Sequence, residues 1–393
     1  MNNFSETREL TIRRSGRLMT VVFFLISGII AATWASRIPE LQLKLELNNA
    51  AWGTVLFASP VGLVCGLLVA SWLTSHYGAK KIMIFSSLVA SLLLILAGYS
   101  NGRIQLMIVL FFMGFSRTIL NISANTLSLD VQKMYNKPII STFHGLWSLA
   151  CFAAASVGSL MIVMNVIPGH HFLGIALLCI LLGLMYVKSR HGSKLHDREK
   201  KPFFVRPDRY LFLLGCIAFC GMICENAIFD WSVNYFENTV NAGKGLVTTG
   251  YQCFIISMTL GRLAGDKLVG RFGPAKMLFV NGIFIAFGFV LAAAFPTLLP
   301  AAIAFIIIGL GDSLVVPIVY SLTARSKSIP PAYALSAVTL VGYTGFLTGP
   351  ILIGFLSSWI GMQWTFALVG LFGIGIILFT GMARKREELN SHN

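Results

Sequence analysis

Long apolar runs separated by short polar breaks dominate this 393-residue chain from residue 18 onward. A helix that crosses the hydrocarbon core of a bilayer needs about 20 consecutive apolar residues. By that criterion the pattern predicts an all-α polytopic membrane protein with twelve transmembrane helices. The predicted spans are 18–35, 51–73, 82–99, 104–127, 139–164, 171–187, 210–236, 247–265, 277–295, 298–324, 333–358 and 363–383.

One polar segment, residues 188–209, is longer than the other breaks and holds eight Lys and Arg residues. It divides the spans six and six, so we expect a basic cytoplasmic linker between an amino-terminal bundle, residues 1–187, and a carboxyl-terminal bundle, residues 210–393. The halves share a repeat, because Gly66 and Gly78 recur 195 residues later as Gly261 and Gly273. A repeat of about half the chain length predicts two pseudo-symmetric six-helix bundles.

Composition and charge agree with a membrane protein and argue against a nucleic-acid partner. Hydrophobic residues make up 56% of the chain and charged residues 11%, whereas a soluble domain carries about 25% charged residues. Of the 30 Lys and Arg residues, 25 fall on one predicted side of the membrane, four fall on the other, and Arg117 lies within a span. Because basic residues collect on the inner side, both termini are predicted to be cytoplasmic.

The sequence predicts neither a metal nor a cofactor. All seven cysteines lie in apolar runs. Cys216, Cys220 and Cys224 follow one another at helical spacing, which favours small residues at a helix contact over a soft-metal triad. The chain has no HExxH metal motif and no nucleotide-binding P-loop, so an enzyme is not predicted.

Several segments resemble one family of membrane proteins. The stretch GRLAGDKLVGRFGPAK, residues 261–276, is similar to the signature that major facilitator proteins carry between the second and third helices of each half. ATWASRIPELQ, FHGLWSLA, ENAIFDW, GLGDSLVVPIVYSLTAR and GYTGFLTGPILIGFLS are similar to a bacterial inner-membrane branch related to fucose permeases. The resemblance implies the major facilitator fold and a location in the bacterial inner membrane. It also implies a gate in the loop after span eight, formed by Gly261, Arg262, Asp266, Arg271 and Gly273.

The chain departs from the fucose-permease pattern at two positions that bear on mechanism. Carriers of that type tend to have a carboxylate four residues before an asparagine in span four, and the corresponding residues here are Asn121 and Asn125. An acid that they have in the first span is also missing, from the stretch that contains Trp34. The resemblance therefore does not imply proton-coupled sugar uptake through these positions.

Ionisable side chains inside spans are costly in hydrocarbon and mark functional positions. The predicted spans contain five that lie deep: Arg117, His144, Glu225, Asp230 and Asp312. At about 1.5 Å per residue, Arg117, Glu225 and Asp312 lie near the middle of the membrane. Carriers bind their substrates at that depth, where the two halves meet.

Arg117, Asn121 and Asn125 follow one another at spacings of four and therefore form one polar stripe on span four. We predict that these three residues bind substrate together with Asp312 and Trp34. Hydrogen bonding between helices is the alternative role for the stripe, and helix packing is the alternative for Asp312.

Glu225 is the predicted proton-coupling acid, because a buried carboxyl group can exchange a proton during a transport cycle. A fixed ion pair with Arg117 is the alternative. Asp230 precedes Trp231, which is expected to anchor at the membrane interface. Asp230 is a candidate for proton coupling, and an outer gate or a structural pair is preferred over contact with the substrate. His144 near the start of span five is a candidate proton relay, although a hydrogen bond at the helix end is the preferred interpretation.

These features together predict a monomeric secondary transporter that imports a small polar solute, a sugar or sugar derivative, by alternating access. Protons or another ion are the expected coupling species. An exporter of drugs or metabolites is the second hypothesis, which is weakened because LACFAAASVG in span five lacks the Gly-Pro signature common in facilitator antiporters. A non-transporting membrane sensor or a membrane enzyme is the third, although the chain offers neither a soluble sensing domain nor a catalytic motif.

Overall fold

The computed structural model describes residues 2–132, 134–135, 140–187, 208–323 and 331–391, and these contain helices and turns but no strand. Side chains are described within those ranges except at residues 2–12, 71, 75, 129, 140–141, 266, 331–333, 335–336 and 386–391. Most of the predicted linker, residues 188–207, lies outside the described part of the chain.

The helices follow the apolar runs of the sequence. In chain order they are α1 (Asn2–Ser36), α2 (Ile38–Lys44), α3 (Asn49–Leu56), α4 (Ala58–Tyr77), α5 (Ala79–Gly98), α6 (Arg103–Gln132), α7 (Ile140–Val163), α8 (Pro168–Leu184), α9 (Arg209–Asn238), α10 (Thr249–Phe272), α11 (Pro274–Ala294), α12 (Leu298–Asp312), α13 (Val315–Thr323), α14 (Pro331–Val369) and α15 (Leu371–Ser391).

Twelve helical spans account for this pattern. Within the described residues, nine stretches are long and apolar enough to cross a membrane, and α8 is a shorter apolar helix. One of the nine, Ala337–Lys385, contains two spans, because the backbone of Gly361 is not helical (φ 80°, ψ 160°). The less apolar α10 is the twelfth. The chain is thus a multi-pass α-helical membrane protein.

Two of the spans are each built from two helices, and a proline explains each interruption. Proline has no amide hydrogen to donate to the carbonyl four residues earlier. Pro60 therefore leaves the Leu56 carbonyl without its helical partner where α3 gives way to α4. Pro317 does the same to the Ser313 carbonyl between α12 and α13.

The helices pack into two compact units. One contains α1, α2 and α4–α8, and the other contains α3 and α9–α15. Residues 46–57 thus group with the second unit, although they lie within residues 1–187, the predicted amino-terminal bundle. The division of the chain at residues 188–209 stays a prediction. A glycine permits the packing of α3, because a Cβ atom on Gly53 would overlap the Pro350 carbonyl oxygen of α14.

The repeat seen in the sequence is present in the backbone of each unit. Gly78 precedes α5 with φ 88°, and Gly273 precedes α11 with φ 80°. Both angles lie in the left-handed region that favours glycine. The two glycines therefore turn the chain in the same way at equivalent helix junctions.

A second pair of equivalent glycines lets helices approach closely. A Cβ atom on Gly114 of α6 would overlap the Ser59 carbonyl oxygen of α4. In the second unit, a Cβ atom on Gly309 of α12 would lie 2.5 Å from the Phe254 carbonyl oxygen of α10. Gly114 with Gly309 and Ser59 with Phe254 are each separated by 195 residues, so both units repeat the same helix contact.

Candidate functional site

Within the second unit, α10 approaches the interruption between α12 and α13. Gly261 makes the approach possible, because a Cβ atom there would overlap the Ser313 hydroxyl. The next residue, Arg262, directs Nε toward the Ser313 carbonyl oxygen at 3.4 Å. This is the carbonyl that Pro317 leaves without a helical donor. The proline therefore creates an acceptor, and the glycine brings the arginine to it.

Arg262 also forms an ion pair with the predicted coupling acid. Its Nη2 atom lies 3.7 Å from Oε1 of Glu225 on α9, with side-chain exposures of 34% and 15%. At that separation the two groups attract each other without a direct hydrogen bond. The ion pair of Glu225 in the described structure is thus with a residue of its own unit.

Asp312 completes a group of three charged residues at this place. It ends α12, its residue is 2% exposed, and its Oδ1 atom has no hydrogen-bond partner among the described residues. It lies close enough to Glu225 and Arg262 to interact electrostatically with both. Gly221 on α9 lies next to it, since a Cβ atom there would lie 3.6 Å from Oδ1. Two carboxyl groups therefore face one guanidinium group.

Two tyrosines extend this charge cluster and were missed by the sequence reasoning. Tyr320 of α13 forms a hydrogen bond with the side chain of Thr339 on α14. Tyr320 and Tyr343 both interact electrostatically with Glu225. Each tyrosine lies within a segment that carries the family resemblance, which was the available signal.

Asp230 lies on α9 but pairs locally. Its Oδ2 atom accepts a hydrogen bond of 2.8 Å from Nδ2 of Asn226, one turn earlier. The expectation that Trp231 anchors at the membrane interface is wrong, because this side chain is fully buried. Its indole packs inside the unit, so it does not mark the position of Asp230 relative to the membrane surface.

The polar stripe predicted on span four lies along α6. Asn125 Nδ2 donates to the backbone oxygen of Asn121 at 2.9 Å and to its side-chain oxygen at 2.7 Å. Asn121 is exposed, and Arg117 and Asn125 are partly exposed. The two amides therefore bond each other along one face of α6, and each keeps part of its side chain at the surface of the unit.

Trp34 belongs to the core of the first unit. It is 6% exposed, and its ring centre lies 6.4 Å from that of Phe172. Nearby Arg37 is fully buried and contacts Glu40 and the Val166 carbonyl oxygen. Burial lowers the pKa of Arg37 and Glu40 opposes that shift. These contacts give Trp34 a packing role.

The remaining predicted residues are dispersed. His144 is exposed near the start of α7, with its ring centre 5.2 Å from that of Phe24. The expected loop after span eight is largely helical, because α10 continues to Phe272 and places Gly261 and Arg262 inside a helix. Arg271 is exposed and its guanidinium lies 5.3 Å from the centre of the neighbouring Phe272 ring. The Asp266 side chain lies outside the described residues.

The chain is similar in sequence to known membrane proteins. The profile of the Major Facilitator Superfamily matches residues 18–333. The chain is 28% identical over 359 residues to an uncharacterised MFS-type transporter of Yersinia pestis, covering 91% of this chain and 93% of that protein.

Two solved structures have the same fold. A bacterial homologue of the human lysosomal transporter Spinster matches with a TM-score of 0.75 and 14% identity, over 94% of this chain and 96% of that chain. The nucleoside transporter NupG matches with a TM-score of 0.72 and 14% identity, over 95% of this chain and 99% of that chain. At these identities the likeness concerns the fold alone.

Proposed function

This chain belongs to the Major Facilitator Superfamily, a family of membrane transporters, and from that premise we propose that it is a proton-coupled secondary transporter of a small polar solute. We further propose that it works by alternating access in a bacterial inner membrane, with both termini in the cytoplasm. The coupling group is the cluster of Glu225, Arg262 and Asp312.

The observation that carries this proposal is the imbalance of charge in the cluster. Two carboxyl groups and one guanidinium group leave one negative charge uncompensated when all three are ionised. An uncompensated charge is costly in a low-dielectric interior, and binding of one proton removes it. The cluster therefore has a physical reason to take up a proton in one step of a cycle and to lose it in another.

The weakness of the ion pair supports exchange over a permanent structural link. Glu225 and Arg262 are 3.7 Å apart, and Arg262 retains 34% side-chain exposure. A pair at that distance forgoes the short hydrogen bonds that hold a structural pair together. Protonation of Glu225 would release Arg262 at little cost, because the guanidinium keeps its interaction with the Ser313 carbonyl.

The solute is proposed to carry hydroxyl or amide groups, with a sugar or sugar derivative favoured. The groups offered to it are Arg117, Asn121 and Asn125 of α6 in the first unit. Side-chain amides and a guanidinium group can donate hydrogen bonds to hydroxyl oxygens, and amide oxygens can accept hydrogen bonds from hydroxyl groups. Trp34 is not included, since it is packed in the core.

A reconstituted system tests the proposal directly. Purified protein is first screened by thermal shift against sugars, nucleosides, amino acids and peptides. Solutes that bind are then offered to proteoliposomes with and without an inward proton gradient, and a protonophore serves as the control. We expect uptake that depends on the gradient. Uptake that is indifferent to the gradient and to the protonophore would exclude proton coupling.

A further inference from the structure

The short helix α2 follows span one and lies at the outer face in the proposed orientation of the chain. It has seven residues, whereas an isolated helix of fewer than about 12 residues is marginal in water. Its inner side is apolar, because Ile38 is 1% exposed and Leu41 is fully buried, while Leu43 on the other side is 78% exposed. Contacts with the rest of the first unit must therefore hold α2 in place.

Arg37 fastens the start of α2 to the turn between α7 and α8. The residue is fully buried, and its Nη2 atom donates hydrogen bonds to the Val166 carbonyl oxygen of that turn and to Oε1 of Glu40, the latter at 3.0 Å. Glu40 supplies the opposite charge. Gly158 of α7 lets the end of α1 come close, since a Cβ atom there would overlap the Ser36 hydroxyl. The end of α1, the start of α2 and the turn after α7 thus meet around one buried cation.

Lys44 fastens the other end of α2 to the turn between α5 and α6. Its Nζ atom donates a hydrogen bond of 2.9 Å to the carbonyl oxygen of Ser100, a fully buried residue. Hydrogen bonds from a charged donor are stronger than those from a neutral one. Two cations therefore join one short helix to two turns that lie 129 and 56 residues away along the chain.

At the end of α11, the counterpart of α5, the second unit uses neutral side chains for such bonds. Tyr235 Oη donates to the Ala292 carbonyl oxygen at 2.6 Å, and Gln363 Nε2 donates to that of Ala293 at 2.7 Å. Positive charges at the outer face oppose the usual bias of basic residues toward the cytoplasm. Arg37 and Lys44 therefore require a specific role, and joining α2 to the two turns supplies one.

We propose that α2 is a brace of the first unit, fastened by Arg37 to the α7–α8 turn and by Lys44 to the α5–α6 turn. The brace keeps the neighbouring ends of α1, α5 and α7 together as one body. α2 is then not a flap that opens by itself, because any movement of α2 carries this end of the unit with it. The brace depends neither on proton coupling nor on the identity of the solute.

Hydrogen–deuterium exchange of the full-length protein in detergent micelles tests the brace, because exchange reports local opening. In the unchanged protein, the hydrogen-bonded amides of α2 and of the two turns should exchange at rates within about threefold of one another. Arg37→Gln should speed exchange about tenfold in α2 and in the α7–α8 turn, as expected for the loss of a charged hydrogen-bond donor. Lys44→Gln should speed exchange about threefold in the α5–α6 turn and leave the α7–α8 turn unchanged, because Lys44 is exposed.

Two more variants separate the brace from a general loss of stability. Leu43→Gln is the matched control on the exposed side of α2 and should change neither turn. Arg37→Lys keeps the charge without the planar fork, and it should fold and speed exchange in the α7–α8 turn by about threefold. Three results would overturn the proposal: exchange in α2 at least about tenfold faster than in the two turns of the unchanged protein, an unchanged α7–α8 turn in both Arg37 variants, or equal effects of Lys44→Gln and Leu43→Gln on the α5–α6 turn.

Discussion

Two positions separated by 195 residues show how the two halves of this transporter have diverged. Arg117 and Asp312 each follow an equivalent glycine, Gly114 or Gly309, by three residues on equivalent helices. Asp312 is buried beside Arg262, whereas Arg117 is partly exposed and begins a stripe of amides. The close helix contacts are the same in both units, while the polar groups that they position are opposite in charge and differ in burial. The packing is therefore the same in the two units, and only the chemistry differs.

The prediction with the largest expected effect tests the helix contact that the two units share. Gly114→Val and Gly309→Val each place side-chain atoms where the facing helix backbone already lies. We expect each change to lower the free energy of unfolding by at least about 3 kcal/mol, the upper end of ordinary overpacking. Yield and elution profile by fluorescence-detected size-exclusion chromatography provide the measurement.

Gly174→Ala is the control for this pair, because a Cβ atom on Gly174 of α8 meets no atom within 4 Å. It should leave the elution profile unchanged. If only one of the two valine variants is damaged, the two units do not depend equally on the repeated contact.

The second prediction tests the difference in chemistry. Coupling one proton per solute lets a gradient of one pH unit sustain an accumulation of about tenfold. Glu225→Gln should reduce the ratio of internal to external solute to about one, because the protein then lacks the group that takes up the proton. Exchange of labelled solute should continue, because the solute site is unchanged. Accumulation in proteoliposomes and equilibrium exchange are measured on the same preparation.

The matched change in the first unit is Asn121→Ala. It removes hydrogen bonds to the solute and should raise the KM for uptake by about threefold to tenfold without changing the accumulation ratio. A loss of accumulation in Asn121→Ala, or normal accumulation in Glu225→Gln, would contradict the division of roles between the units.

The third prediction concerns the ion pair. Arg262→Gln leaves two carboxyl groups without their cation, so we expect a loss of stability of about 1–2 kcal/mol, below the value for a fully buried pair because Arg262 is partly exposed. The double variant Arg262→Gln with Glu225→Gln should recover most of that loss. Thermal unfolding of all three proteins at one pH is the measurement, and additive losses would show that the pair is not coupled.

The prediction with the smallest expected effect compares the contributions of Asn125 and Tyr320 to stability. These residues are also separated by 195 residues. Tyr320 forms its hydrogen bond with another helix, whereas Asn125 bonds within α6. Tyr320→Phe should cost about 1 kcal/mol of stability, and Asn125→Ala less than about 0.5 kcal/mol. Thermal unfolding provides both values, and the reverse order would show that Asn125 has a structural partner.

Much of the architecture was predictable because single residues decide it locally. Runs of apolar residues predict membrane helices, and the absence of an amide hydrogen on Pro317 predicts the break beside Ser313. The repeat of Gly78 at Gly273 predicts a repeated backbone turn. The burial of individual side chains was less predictable. From the sequence alone, the apolar rings of Trp34 and Trp231 suit a core, a ligand site or a membrane interface equally well.

The sequence by itself therefore determined the class of the protein, its spans and its repeat, and it supplied candidates for the ionisable residues inside the membrane. Their partners were decided only by the tertiary structure. Arg262 was assigned to a gate loop and Glu225 to a possible pair with Arg117, yet helix packing through Gly261 brings Arg262 and Glu225 together. The physical reason is that solvent preference is a property of one residue, whereas an ion pair requires two helices to meet at a particular depth and rotation.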